Sequence, residues 1–249
     1  MTFITKQVRA RICLAAVVSG LIVPNGAVEA AQPAAPVAAV SYSSNAGSGN
    51  AARPTEAIRL TRSGIVSIAA RDGRREMAQF TRAELEAICP ALYDGTIRTL
   101  SQRSLDAEIR SLARTTELDG VRDAETCYLS LPTRDGVVTL RMEAPSLLCE
   151  RFGERGQLTA KFERLRTELE RLRQTVLLGG PVAAARICDA ASAQCGAALD
   201  LSDLQFADRF EGTTTAHFRR GELLVMVSRT GTEITVDVFG RVQTTAVVR

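Results

Sequence analysis

The single histidine, His217, is the first residue to consider for catalysis, because a Ser-His-Asp or Cys-His site depends on an imidazole. It alternates with Ala216 and Phe218 in a segment that predicts a β-strand, so its ring should lie on the opposite face from theirs. No serine stands in a nucleophile elbow of the G-x-S-x-G type. We therefore expect an exposed histidine without a catalytic role.

Paired carboxylates could hydrolyse a glycosidic bond, and Glu84, Asp106 and Asp135 are candidates, but their spacing in sequence does not bring two of them together. The phosphate-binding G-x-x-x-x-G-K and dinucleotide-binding G-x-G-x-x-G motifs are absent. The chain has no tryptophan and only three tyrosines, too few for an aromatic sugar platform. We predict a non-enzymatic protein without cofactor or metal. The alternative is a hydrolase whose carboxylate site is assembled only by the fold.

Cysteines are the other reactive side chains. Those beyond the first thirty residues are Cys89, Cys127, Cys149, Cys188 and Cys195. In an oxidising compartment we expect most of them to pair. Cys188 and Cys195 predict a local disulfide, and Cys127 and Cys149, which flank a predicted hairpin, predict a second, leaving Cys89 buried and unpaired. A metal site is the weaker interpretation, because the chain lacks C-x-x-C and has one histidine.

The first thirty residues predict a secretory signal peptide, with a basic start, a twelve-residue apolar run from 12 to 23 and a cleavage site after Ala30. The apolar run is too short to span a bilayer, so we expect no stable membrane insertion. Residues 31–54 are rich in Ala, Pro, Ser and Gly without an apolar period and predict a disordered linker. We expect a periplasmic or secreted bacterial protein.

Charge argues against a nucleic-acid partner. The whole chain carries a net charge of +3, and removal of the signal peptide, which has three basic residues and one acidic residue, lowers it to +1. A balance so close to neutral does not provide the basic surface that binds phosphate backbones.

A long amphipathic helix is predicted over residues 156–178, ended by Gly179-Gly180-Pro181. Its apolar residues recur every three or four positions: Leu158, Phe162, Leu165, Leu169, Leu172 and Val176. Three opposite-charge pairs at i, i+3 are expected on its outer face: Glu163 with Arg166, Glu168 with Arg171, and Glu170 with Arg173. The helix packs on its own domain, or it pairs with a second copy to form a homodimer.

Shorter elements are predicted on both sides of this helix. Before it come strands 57–60 and 65–70 around a turn, helices opening at Thr81 and near residue 104, and a hairpin of strands 126–131 and 137–143. After it, β-rich segments from residue 216 onward predict a meander. The fold class is therefore α+β: a small antiparallel sheet with helices and one long amphipathic helix over 55–178, followed by a β-rich segment over 179–249.

The order of these elements resembles emfourin-type inhibitors of thermolysin-like metalloproteases (protealysin inhibitors). The resemblance covers residues 58–156 and rests on LTRSGIVSI (60–68), AELEAICPAL (83–92) and EAPSLLCERFGERG (143–156). The chain departs from the family in its cysteines, in an insertion between Gly95 and Gly120 and in its C-terminal β segment. The resemblance implies an exposed loop that blocks a protease cleft. The loop we assign to this role is Arg62, Ser63, Gly64 and Ile65.

The function predicted from the sequence is binding of another protein in the bacterial envelope or secreted fraction. The more specific version of this prediction is inhibition of a metalloprotease. A self-associating envelope scaffold is a further alternative.

Overall fold

The computed structural model describes residues 40–45, 55–69, 75–116, 125–133, 136–240 and 244–248. The predicted signal peptide lies outside these residues. The described residues all belong to one compact unit. Its helices and two antiparallel sheets confirm the predicted α+β class.

In the part of the chain that the structure describes, six antiparallel strands form the first sheet, in the order β4-β3-β2-β1-β5-β6. They are β1 (Val40–Asn45), β2 (Thr55–Leu60), β3 (Ile65–Ala69), β4 (Arg75–Gln79), β5 (Thr126–Thr133) and β6 (Gly136–Glu143). β5 and β6 are the predicted hairpin. Its inner face is as expected from alternation, with Cys127, Leu129 and Leu140 buried in the core.

β1 corrects the prediction that the whole of 31–54 is disordered. It lies in the middle of the sheet, paired with β2 on one side and β5 on the other. The alternating Val40 and Tyr42 reach the core and are 1% and 2% exposed. The overall composition of the segment masked this short pattern, which is stabilised by two neighbouring strands rather than by local sequence. The rest of the segment lies outside the described residues.

Within the described residues, five α-helices accompany the sheets: α1 (Arg82–Ile88), α2 (Gln102–Ala113), α3 (Pro145–Phe152), α4 (Gln157–Leu177) and α5 (Pro181–Cys195). α1 begins with the predicted capping box, in which Thr81 and Glu84 each bond the backbone of the other. It ends before Pro90, which opens a 3₁₀ turn over Pro90–Leu92.

Two of these helices were not predicted. α3 lies between the predicted hairpin and the predicted long helix, and it begins with a proline in its first turn. α5 runs for 15 residues at the start of the segment 179–249, which was predicted to be β-rich. α4 ends before Gly179 and Gly180, which both have positive φ. Pro181 then starts α5, because the fixed φ of proline suits the first helical position.

α4 is the central element of the core. Phe162, Leu165, Leu169 and Leu172, four residues of its predicted stripe, are 0% exposed. The helix packs against both sheets and against α1, α2, α3 and α5. Because the stripe is covered by elements of the same chain, it is not available to a second copy. Homodimerisation through this stripe is therefore not supported by the fold.

The polar residues of α4 follow the prediction only in part. The pairs Arg166 to Glu163, at 2.6 Å, and Arg173 to Glu170, at 2.7 Å, are present. The third pair was predicted wrongly. Glu168 binds Arg164, one turn earlier, at 2.9 Å, and its side chain is buried rather than on an outer face. The reason is that α4 is packed on several sides, so that positions beside the stripe also enter the interior.

The second sheet is the predicted C-terminal meander, with strand order β11-β10-β9-β8-β7. The strands are β7 (Leu204–Phe210), β8 (Thr213–Arg220), β9 (Leu223–Thr230), β10 (Glu233–Phe239) and β11 (Thr244–Val248). Its inner face, which includes Phe218, Val225 and Val236, joins the same hydrophobic core as the first sheet. The two sheets are also linked by an ion pair between Arg209 and Glu76, at 3.0 Å.

Among the described helices, none alone is long and apolar enough to cross a membrane. α4 and α5 meet such a test of length and composition only when taken together, and they are bent by 87° at their junction.

Candidate functional site

The turn between β2 and β3, residues 61–65, contains the predicted partner-binding loop and is held by its own backbone. The Thr61 amide donates to the Ile65 carbonyl at 2.9 Å, and the Gly64 amide donates to the Thr61 carbonyl at 3.1 Å. The Thr61 hydroxyl oxygen also accepts a hydrogen bond from the Ile65 amide, at 3.1 Å. These hydrogen bonds fix the conformation of the turn in the free chain.

The neighbouring strand braces the turn from outside. The Gln79 side-chain amide donates to the Ser63 carbonyl at 2.8 Å, and the Phe80 amide donates to the Gly64 carbonyl at 3.0 Å. Gly64 has a φ of +81°, and a Cβ atom at this position would lie 2.5 Å from the Phe80 carbonyl oxygen. Only glycine fits this close approach without displacing the backbone.

The outer surface of the turn combines one charge with apolar area. Arg62 and Ser63 are exposed, and Ile65 at the start of β3 is 37% exposed. Met77 in the adjacent β4 is 67% exposed, and its partner Ser67 lies two residues from Ile65 on the same face of the sheet. The structure thus places a guanidinium, a hydroxyl and two apolar side chains at one corner of the molecule. Gly64 itself is buried beneath them.

The predicted disulfides are not formed: all five cysteines of the described residues are free thiols. Cys188 and Cys195 lie on the same helix, α5, seven positions apart, so their Cα atoms are separated by about 10 Å along the axis. A disulfide needs a Cα separation below about 7 Å. Cys127 is buried in β5, with its sulfur 3.7 Å from the Tyr42 hydroxyl, whereas Cys149 is partly exposed on α3.

The buried thiols are held in their protonated form. Burial raises the pKa of Cys127 to about 12 and that of Cys188 to about 11. Burial, followed by the nearby Glu168 carboxylate, raises the pKa of Cys89, which is fully buried as expected. A protonated thiol is a poor nucleophile and metal ligand, so these three side chains act as small core residues.

His217 lies on the face of β8 opposite Ala216 and Phe218, as predicted, but it is stacked rather than freely exposed. Its ring lies 4.1 Å from the Phe206 ring, at an interplanar angle of 17°. Burial lowers its pKa. No described group of three or more His, Cys, Asp or Glu side chains has an arrangement that could hold a metal ion.

The carboxylates considered from the sequence are separated by the fold. Glu84 serves the capping box of α1, and Asp135 lies outside the described residues. Asp106 lines a cleft of about 550 Å³ between α2, α3 and β6, and Glu143 lines the same cleft. No local pattern in the sequence indicates this cleft, because its walls come from segments about 40 positions apart in the chain, such as Gln102 and Arg141.

No known protein family, curated protein or solved structure matches this chain.

Proposed function

We propose that this chain is an exported, non-enzymatic protein that binds another protein through the exposed tip of the β2–β3 turn. The supporting observation is the bracing of this tip by its own backbone and by Gln79 and Phe80. A loop that is ordered before binding loses less conformational entropy in a complex than a flexible loop does. Arg62 supplies a charge that favours an acidic recess in the partner, and Ile65 and Met77 supply apolar contact area.

Export remains part of this proposal on the basis of the leader-like composition of residues 1–30 alone. The cysteines no longer support it, because the five described cysteines are free. A periplasmic or secreted location is tested by cell fractionation. The protein with its own N-terminus should be recovered outside the cytoplasm, with mass spectrometry locating the new N-terminus after Ala30.

A more specific version of the proposal is inhibition of a thermolysin-like metalloprotease. It rests on the resemblance to emfourin-type inhibitors and on a hydrogen-bonded turn whose residues Arg62 and Ser63 are exposed and could contact an active-site cleft. The purified protein should inhibit at least one member of a panel of such proteases at micromolar excess. Full activity of the whole panel would remove this form while leaving the broader protein-binding proposal in place.

The broader proposal is tested by affinity capture from the native host, with the full chain carrying a C-terminal tag and mass spectrometry of the recovered proteins. We expect one specific partner that is retained by the wild type and lost with Arg62→Glu. Arg186→Glu, an equal charge reversal at an exposed site on α5, should retain it. Recovery of the folded protein alone, or equal loss with both variants, would contradict binding through the turn.

A hydrolase is the second candidate, because Asp106 and Glu143 line one cleft. Each carboxylate already has a partner: Asp106 accepts a hydrogen bond from Gln102 at 2.6 Å, and Glu143 is paired with Arg141. Turnover of a glycoside or ester panel that disappears in Asp106→Asn would favour this candidate over the binding protein.

A further inference from the structure

At one edge of the first sheet, a side-chain amide takes the place of a neighbouring strand. The Gln102 side chain accepts a hydrogen bond from the Arg141 amide at 2.7 Å and donates one to the Arg141 carbonyl at 3.1 Å. A peptide group of an adjacent strand would supply the same donor and acceptor to an edge residue. β6 therefore presents strand-pairing groups on its outer side, and Gln102 already uses those of Arg141.

The alternation of β6 shows which other backbone groups face this open edge. Successive residues of an antiparallel strand direct their N–H and C=O groups to opposite sides. Because the N–H and C=O groups of Arg141 point away from β5, those of Thr139 and Val137 do so as well. Pro132 of β5 lies opposite Val137. At such a position the β5 residue makes no hydrogen bond to β6, so the missing N–H of proline costs no bond between the two strands. Val137 is 68% exposed, and Thr139 is exposed.

The cleft beside this edge offers an apolar wall and an acidic residue to the side chains of a bound peptide. Its volume is about 550 Å³, and Ile109 and Leu148 form an apolar wall. Among the described residues of the lining, Arg141 is the one with a guanidinium, and it is paired with Glu143. Asp106 accepts a hydrogen bond from the neutral Gln102 side-chain amide at 2.6 Å, so no cation among these described lining residues balances its charge.

We propose that this edge binds an extended polypeptide segment as an additional strand of the sheet, hydrogen-bonded to Val137 and Thr139. A lysine or arginine of the segment lies beside Asp106, and an apolar side chain packs on Ile109. The added strand ends at the Gln102 side-chain amide, because this amide already occupies the next pairing position, the backbone of Arg141. This site is separate from the β2–β3 turn: among the described strands, β6 is at one edge of the sheet and β4, next to the turn, is at the other.

The test uses a fluorescein-labelled synthetic peptide of seven residues that alternates lysine and valine, titrated with the full chain and followed by fluorescence anisotropy. Thr139→Pro removes the outward N–H and should weaken binding by at least about tenfold, because backbone pairing is lost along the strand. The matched control, Thr139→Ala, keeps the N–H and should stay within about twofold of the wild type. A peptide of alternating glutamate and valine should bind at least about fivefold more weakly than the lysine peptide.

Amide hydrogen exchange of the wild type gives a readout that does not depend on the folding of a variant. The lysine peptide should slow exchange at Val137 and Thr139, whereas the Leu140 amide, which points to β5, is already protected and should not change. The proposal is overturned by an absence of binding at millimolar peptide, by equal binding to a folded Thr139→Pro variant, or by protection that appears only at residues 61–65. The last result would support the turn as the binding site instead.

Discussion

Glu168 offers a decisive test of how α4 holds the fold together. One of its carboxylate oxygens accepts a hydrogen bond from the Ala91 amide at 2.8 Å, and the other accepts one from the Arg164 guanidinium at 2.9 Å. Ala91 is fully buried in the 3₁₀ turn Pro90–Leu92. The first N–H groups of a helical turn have no partner within the turn itself, so Glu168 provides one from a different element.

The contribution of Glu168 to the free energy of unfolding can be calculated from these contacts. A hydrogen bond to a charged group contributes about 1.5 to 3 kcal/mol, and its removal in Glu168→Ala also leaves the Ala91 N–H buried without a partner. The ion pair to Arg164 adds less than about 1 kcal/mol, because the Arg164 side chain is 49% exposed. We expect a loss of about 3 kcal/mol in the free energy of unfolding. Glu168→Gln, which keeps an acceptor oxygen, should lose about half of this.

The assay is urea unfolding followed by circular dichroism, together with a thermal melt. For a domain of this size, 3 kcal/mol corresponds to a fall in Tm of about 6 to 12 °C. The matched control is Glu170→Ala on the same helix. Its pair with Arg173 is partly exposed and should contribute less than about 1 kcal/mol. If Glu168→Ala and Glu170→Ala were equally stable, the buried carboxylate would not support the 3₁₀ turn as we infer.

Four further predictions concern other parts of the fold. Gly64→Ala should destabilise by more than about 2 kcal/mol in urea unfolding, because its Cβ would meet a carbonyl oxygen, while Gly95→Ala, with a similar φ but open space around it, should cost about 1 kcal/mol. Glu108→Ala should cost about 1 to 2 kcal/mol in the same assay, since this carboxylate accepts hydrogen bonds from two amides at the start of α4. Native Cys127, with its pKa raised from 9.0 to about 12, should react with iodoacetamide at pH 8 about a thousandfold more slowly than in urea, and equal rates would contradict its burial. Because burial lowers the pKa of His217, the unfolded chain takes up its proton first as the pH falls below about 6.5; stability should therefore decrease below that pH, and His217→Gln should show a smaller decrease in pH-dependent melts.

Much of the fold could be predicted from the sequence, because it depends on short-range patterns. The stripe from Phe162 to Leu172 defined α4, the capping box at Thr81 defined the start of α1, and alternation defined the β5–β6 hairpin. Each of these signals lies within a few residues of the element that it specifies.

For the candidate site at the β2–β3 turn, the sequence predicted the position of the turn but not the contacts that hold it. The turn at Arg62 to Ile65 could be expected from its composition, but its rigidity depends on Gln79 and Phe80, which the chain brings back through β4. The β6 cleft could not be foreseen, because Gln102 reaches Arg141 only after α2 has packed beside the sheet edge.

What the sequence determined by itself was therefore the class of the fold and most of its elements, since propensity and periodicity act locally. Only the tertiary structure decided that β1 completes the middle of the sheet, that Glu168 is buried, and that its partner is an amide 77 positions earlier in the chain. It also placed Cys188 and Cys195 too far apart to pair. Burial, pairing and ion partners are set by which surfaces meet after folding, and no local pattern encodes contacts over such separations.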